Sequence, residues 1–296
     1  MRARLATFVF AALAVGLSAM ANSESITFKD LYSRPRPAPT KTIAYGSAPQ
    51  QVADLWLPDG EGPYRTLIVI HGGCWLAQLP GQQQTSYIAE DLRRRGYAVW
   101  NIDYRRIGHD GGGYPGTFLD TAVAIDKLRE LAPEHKLDLR RVVAVGHSAG
   151  GHLATWGAAR RNIPKSSPLY KADPLSIAAV VSLAGINDLK DYRERGPTAC
   201  GGPPTIDSLI GAQERQGVDP YADTSPVELL PIVAKQVIVA GALDPIVPLP
   251  LVHAYARKAA VAGDVSLDLP GGHFELIDPQ SNEWARIRAE IDKLMK

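Results

Sequence analysis

A chain of 296 residues is long enough for one large α/β domain or two small ones. Its composition, 45% hydrophobic and 21% charged, suits a soluble globular protein and not a disordered or fibrous one. A net charge of +1 without a field of one sign argues against nucleic acid as a partner, and two cysteines are too few for a disulfide-built scaffold.

In chain order, residues 1–21 read as a secretory signal. Arg2 and Arg4 supply the charged start, Leu5 to Leu17 is an apolar run without charge, and Ala19-Met20-Ala21 is a cleavage site placing the cut before Asn22. The apolar run is short for a bilayer span of about 20 residues. No later segment is long and apolar enough to be one, so the mature chain is expected off the membrane, periplasmic or secreted. Residues 22–41, polar and carrying Pro35, Pro37 and Pro39, read as an extended leader on a surface. Residues 42–296 read as one domain.

Within that domain, Thr42 to Leu57 alternates around a turn at Gly46-Ser47 and predicts a hairpin closed by Pro58. Thr66 to Ile70 is a pure β run that leads into His71-Gly72-Gly73-Cys74-Trp75. Gln84 to Arg95 predicts a helix stopped by Gly96, Tyr97 to Tyr104 a strand, and Thr117 to Leu131 an amphipathic helix. Val142 to Val145 is a short β-branched run for a buried strand; Gly146-His147-Ser148-Ala149-Gly150 follows, then a helix-like stretch from His152 to Arg161. Ile177 to Leu183 is the next strand. Residues 186–234 break the rhythm with many Gly and Pro residues, a cysteine and one short helix pattern. Gln236 to Ala240 (strand), Leu249 to Ala262 (helix), Val265 to Leu269 (strand) and Ser281 to Met295 (helix) complete the chain. Strands alternating with helices imply a mostly parallel twisted sheet with helices on both faces, carrying an antiparallel edge at the first hairpin and an insert, 186–234, after the sixth strand.

The chemistry is read at the ends of the strands. A G-x-S-x-G turn between a strand and a helix is the setting in which a serine is held strained and exposed as a nucleophile. Ser148, Asp244 and His273 each follow a strand, in an order suited to a catalytic triad, where parallel sheets place their ligand crevice. A serine is a weak nucleophile until a base takes its proton; His273 does this near neutrality and Asp244 fixes the histidine tautomer. An oxyanion intermediate needs preorganised N–H donors, for which Gly73, Cys74 and Ala149 are the candidates. Asp188 is a rival acid after the preceding strand. Trp75, expected to pack under the oxyanion loop, and Leu209 and Tyr221 of the insert are the candidate substrate contacts. His71 and His147 read as structural neighbours of the site. No H-x-x-x-H or C-x-x-C spacing supports a metal site, and the chemistry calls for no cofactor. Cys74 and Cys200 are an even pair in an exported chain: either a disulfide tying the insert to the oxyanion loop, or two unpaired thiols.

HGGCW at 71–75, DYR at 103–105, GHSAGG at 146–151, ALDPIVP at 242–248 and GGHF at 271–274 together resemble the α/β-hydrolase superfamily, in particular its H-G-G-x-W branch of kynurenine formamidases, acetylxylan and feruloyl esterases and relatives of hormone-sensitive lipase. The resemblance covers roughly residues 42–295. It implies the α/β-hydrolase fold, the triad Ser148-Asp244-His273, and scaffold roles for Tyr104, Arg105, Pro115 and Asp120. Two features depart from it: Cys74 at the third oxyanion-loop position, and the Cys-Gly-Gly-Pro-Pro stretch of the insert. The expected activity is a secreted serine hydrolase acting on a small-molecule carboxylic ester. A formamidase, amidase or small peptidase would use the same triad, and a binding protein on an inactive hydrolase fold would lack one of its members.

Overall fold

The computed structural model describes residues 25–260 and 264–296, so the proposed export signal at 1–21 lies outside the described residues. Eight strands form one sheet: β1 (Lys41–Ala44), β2 (Val52–Trp56), β3 (Tyr64–Ile70), β4 (Ala98–Ile102), β5 (Leu137–His147), β6 (Ala179–Leu183), β7 (Lys235–Gly241) and β8 (Val265–Leu269). Their spatial order is β1-β2-β4-β3-β5-β6-β7-β8. The pairs β1–β2 and β2–β4 are antiparallel and the rest parallel, so the first hairpin forms the antiparallel edge. Successive strand residues point to opposite faces, yet every residue of β4 and β6 is buried. Both faces of the sheet centre are therefore covered, which is why these strands read as continuous apolar runs.

The helices are α1 (Phe28–Tyr32), α2 (Ser86–Arg94), α3 (Gly116–His135), α4 (Ala149–Ala159), α5 (Leu189–Arg195), α6 (Pro203–Ile210), α7 (Leu249–Ala259) and α8 (Asn282–Leu294). All five tryptophans, Trp56, Trp75, Trp100, Trp156 and Trp284, are fully buried. The indole N–H of Trp100 is satisfied by the carbonyl of Ala124 on α3, at 2.8 Å. Arg105 grips Asp120 of the same helix with a two-pronged contact, both prongs 2.8 Å, in the scaffold role the resemblance implied.

Four elements differ from the sequence reading. The leader is not simply extended: α1 forms there, because Thr27 and Asp30 cap each other's backbone and Leu31 is drawn completely into the core. β5 begins at Leu137, where Leu137 and Asp138 pair with Tyr64 and Arg65 ahead of a register shift. α4 begins at Ala149, immediately after the serine, because the turn itself opens the helix. The insert holds two helices; α5 escaped notice because its start is set by Asp188, whose side chain accepts the N–H of Asp191 as an N-cap.

Candidate active site

The carboxyl ends of β3, β5, β7 and β8 bring the residues of the sequence motifs to one edge of the sheet. At the end of β5, Ser148 has φ 56° and ψ −121°, a conformation L-residues rarely adopt. Its N–H donates to Leu183 at 2.8 Å, and its carbonyl accepts the N–H of His152 at 3.1 Å. The flanking glycines are required by space. A Cβ on Gly146 would sit 2.0 Å from the carbonyl oxygen of Gly150, and one on Gly150 would sit 2.1 Å from that of Ile70. The elbow is therefore locked against β3, and only glycine permits the approach.

Asp244 stands in the turn after β7. One of its carboxylate oxygens accepts the N–H groups of Ile246 (2.7 Å) and Val247 (2.9 Å). The other lies 2.6 Å from Nδ1 of His273, in the loop after β8. With Nδ1–H committed to the carboxylate, Nε2 is the nitrogen left for a hydroxyl proton. Asp244 and His273 are both nearly buried, at 6% and 5% exposure. Asp188, the rival acid, is spent elsewhere: it caps α5 and pairs with Lys258 at 2.8 Å.

His147 is the structural neighbour that holds the histidine loop. Its Nε2–H donates to the carbonyl of His273 at 3.0 Å, and the two rings lie 4.4 Å apart. Burial, and secondarily the nearby His273, hold its pKa well below the ordinary histidine value, so it is neutral and its donor nitrogen is Nε2. Its Nδ1 is buried with no partner among the described residues.

After β3 the chain turns through Gly73 (φ 99°), Cys74 (φ 51°) and Trp75 (φ 56°), three successive residues in the left-handed region. Among the described residues, the N–H groups of Gly73, Cys74 and Ala149 donate to no protein acceptor, the condition expected of anion-binding donors. The loop is braced from below. His71 lies between Asp103 Oδ1 (2.9 Å) and the carbonyl of Gly72 (2.7 Å), and the ring of Tyr104 stacks on it at 4.4 Å. The Tyr104 hydroxyl donates to the carbonyl of His71 at 3.0 Å. Burial acts to raise the Asp103 pKa, but His71 and Arg106 outweigh it and hold the carboxyl below its usual range. Cys74 and Cys200 are bonded, with Cα atoms 5.2 Å apart, so of the two alternatives the disulfide is the one realised; it ties the insert to the oxyanion loop.

The candidate substrate contacts fare differently. Trp75 is completely buried, its N–H donating to Nδ1 of His152 at 3.2 Å. Leu209 is also completely buried, on the core side of α6. Trp75 thus packs under the oxyanion loop as expected and reaches no open surface as a substrate contact, while Leu209 is corrected to a packing role, because it fills an inner apolar face of the insert. Tyr221 is half-buried, beside the charged pair Arg193–Asp207 of the insert. Sequence reasoning missed His152. It sits one turn after Ser148 on α4 and joins the oxyanion loop to the insert, donating Nε2–H to the carbonyl of Thr224 at 2.8 Å. Its place four residues after the serine was the available signal. Tyr192 of α5 was missed too; its hydroxyl donates to the carbonyl of Ile246, in the Asp244 turn, at 3.0 Å. Among the described residues no group of three or more His, Cys, Asp or Glu side chains is arranged to hold a metal ion.

Comparison with known proteins agrees with this architecture. The probable carboxylic ester hydrolase LipM of Mycobacterium tuberculosis is 25% identical over 179 residues, which is 59% of this chain and 40% of LipM. The chain thus spans well under half the length of that relative. Among solved structures, esterase B of Lactobacillus rhamnosis superposes with a TM-score of 0.72 at 19% identity, covering 90% of each chain. A truncated carbohydrate esterase from gut microbiota gives 0.69 at 21%, covering 88% of this chain and 99% of its own. These likenesses show the α/β-hydrolase fold. The BD-FAE family model matches residues 53–258, a stretch that holds the oxyanion loop, the serine elbow and Asp244, and the chain belongs to the BD-FAE family.

Proposed function

We propose that this protein is an exported serine hydrolase that cleaves carboxylic esters through an acyl-enzyme on Ser148, His273 and Asp244. The observation that carries the reading is the 2.6 Å Asp244–His273 contact, which leaves Nε2 for the serine proton; Ser148, in its strained elbow, directly follows His147, whose ring lies 4.4 Å from that of His273. In the first half-reaction Nε2 takes the Ser148 hydroxyl proton as Oγ attacks the ester carbonyl. The oxyanion is received by the N–H groups of Gly73, Cys74 and Ala149. Collapse breaks the ester C–O bond, and the proton passes from His273 to the departing alcohol. Water then attacks the acyl-serine with His273 again as base, releasing the carboxylic acid and restoring the serine. The chemistry is complete without metal or cofactor. The names of the relatives, an esterase and a carboxylic ester hydrolase, agree with it. Export is inferred from the Arg2-to-Ala21 pattern, and the Cys74–Cys200 bond suits an oxidising compartment.

The test is hydrolysis of short p-nitrophenyl esters by the mature chain. Turnover should vanish in Ser148→Ala and persist in Ser47→Ala, a change at an exposed residue of the first hairpin turn. An unchanged rate in Ser148→Ala would overturn the assignment.

A further inference from the structure

The N-terminal segment from Ser25 to Arg36 lies outside the residues matched by the family model, yet it is fastened to the loop that carries His273. The N–H of Ile26 donates to Oε1 of Glu275 at 2.7 Å, while Oε2 of the same carboxylate accepts the N–H of Gly272 at 3.1 Å. Arg34 forks onto Asp278, the Nη2–Oδ2 contact being 2.9 Å, and Asp278 is almost entirely buried. The Tyr87 hydroxyl donates to the carbonyl of Arg34 at 3.0 Å. Leu31 anchors the segment from beneath, fully buried. A stretch held by a part-buried ion pair, a bridging carboxylate and a core leucine is a fixed part of the fold, and it is gripped on both sides of the histidine.

The upper side of this segment is aromatic. Phe28 and Tyr32 stack with ring centres 4.6 Å apart, and Phe28 lies 5.8 Å from Phe274. Phe274 in turn stands edge-on to His273 at 5.2 Å. At its other end the pair reaches the loop after β3. The Tyr32 hydroxyl donates to Gln83 Oε1 at 3.3 Å, and the next residue, Gln84, donates its amide to the carbonyl of Gly72, also at 3.3 Å. The two stacked rings thus run from the histidine loop to Gln83, whose neighbour Gln84 contacts the oxyanion loop. Phe28, Tyr32 and Phe274 are all only half-buried. The Arg36 guanidinium also lies over the Tyr32 ring, 4.6 Å from its centre. What these half-buried rings still leave wet forgoes roughly 25 cal/mol for each Å² of apolar area, so a partner that covers it gains that burial.

The chemistry assigns the side of the substrate that meets them. His273 hands its proton to the oxygen of the departing alcohol, so the alcohol part lies along the histidine loop, where these rings stand. We propose that Phe28 and Tyr32 form the leaving-group wall of the active site and favour esters whose alcohol part presents a flat apolar ring face. This rests on the serine-esterase reading above. An aryl ring and the apolar face of a sugar share that chemistry.

The test compares acetates of matched acyl group: benzyl acetate, an acetylated methyl glucoside, and hexyl acetate as the linear reference. The wild type, Phe28→Ala, Tyr32→Ala and Tyr32→Phe are assayed as full mature chains. In each alanine variant the ratio of kcat/KM on ring alcohols to that on hexyl acetate should fall roughly 3- to 10-fold, the range of an aromatic contact. Tyr32→Phe should keep it. Benzyl alcohol as product inhibitor should also bind more weakly to Phe28→Ala by a similar factor, a readout independent of turnover. Loss on the benzyl arm alone or the glucoside arm alone identifies the source of the ring. A fall common to all three acetates, or an unchanged ratio, would overturn the wall while fluorophosphonate labelling of Ser148 shows the esterase reading intact. Absence of both labelling and acetate hydrolysis in the wild type would take both down.

Discussion

Lowering the pH from 7 to 4 should weaken the fold by about 3 kcal/mol through one side chain, His152. The ring is fully buried. It accepts the Trp75 N–H on Nδ1 and donates from Nε2 to Thr224, a pairing that requires the neutral form. Burial pushes its pKa down to about 4, whereas in the unfolded chain it returns to about 6.5. Between those values the unfolded chain binds a proton that the folded chain refuses. The contribution is therefore complete above about pH 6.5, falls as pH falls, and is lost near pH 4. The separation of the two pKa values, at about 1.4 kcal/mol for each unit, sets the size of the effect. His147 contributes with the same sign, its pKa also being lowered by burial, so the wild-type slope alone does not isolate His152. The assay is urea unfolding, followed by tryptophan fluorescence, of wild type and His152→Gln at pH 7, 6, 5 and 4 and constant ionic strength. The variant cannot titrate at this position, so the wild type should lose about 3 kcal/mol more than the variant across the series. Parallel pH dependences would refute the argument and show that the protonated ring is accommodated.

Further outcomes follow from the same geometry. Asp244→Asn should lower kcat by several orders of magnitude with the fold intact in circular dichroism, because Nδ1 of His273 loses the carboxylate that fixes its tautomer. Leu209→Ala should destabilise the protein by about 2–5 kcal/mol in denaturant titration as a core cavity, with ester preference unmoved; a change in preference without loss of stability would return Leu209 to the pocket. Thiol alkylation of the denatured protein should label Cys74 and Cys200 only after reduction, and the reduced enzyme should turn over more slowly, since the bond holds the loop that carries two of the proposed oxyanion donors. Labelling of both thiols without reduction would contradict that tie.

What was legible in the sequence, and what was not, divides along one line. Leu67 to Ile70, Val142 to Val145 and Val237 to Ala240 announce themselves because strands covered on both faces need apolar residues at every position. The choice of Asp244 over Asp188 followed from strand order, and the contact of Asp244 with His273 agrees with it. What stayed hidden depends on partners distant in the chain. The five residues of α1 make a helix too short to stand alone; it forms because Leu31 finds the core and its neighbours find the 272–278 loop. Asp188 looked chemical because a carboxylate that caps a helix and one that orients a histidine are the same residue type after the same kind of strand. From their place in the chain, Trp75 and Leu209 read as pocket residues. A left-handed turn at one, and the inner apolar face of the insert at the other, sent both inward.

Ser148 is proposed here as a nucleophile activated by His273. A fluorophosphonate probe, followed by mass mapping of the labelled peptide, tests it directly. One adduct per chain is expected, on Ser148 in the peptide that carries GHSAGG, and it should be lost in both Ser148→Ala and His273→Gln. Labelling of another serine, or undiminished labelling of Ser148 in His273→Gln, would contradict it.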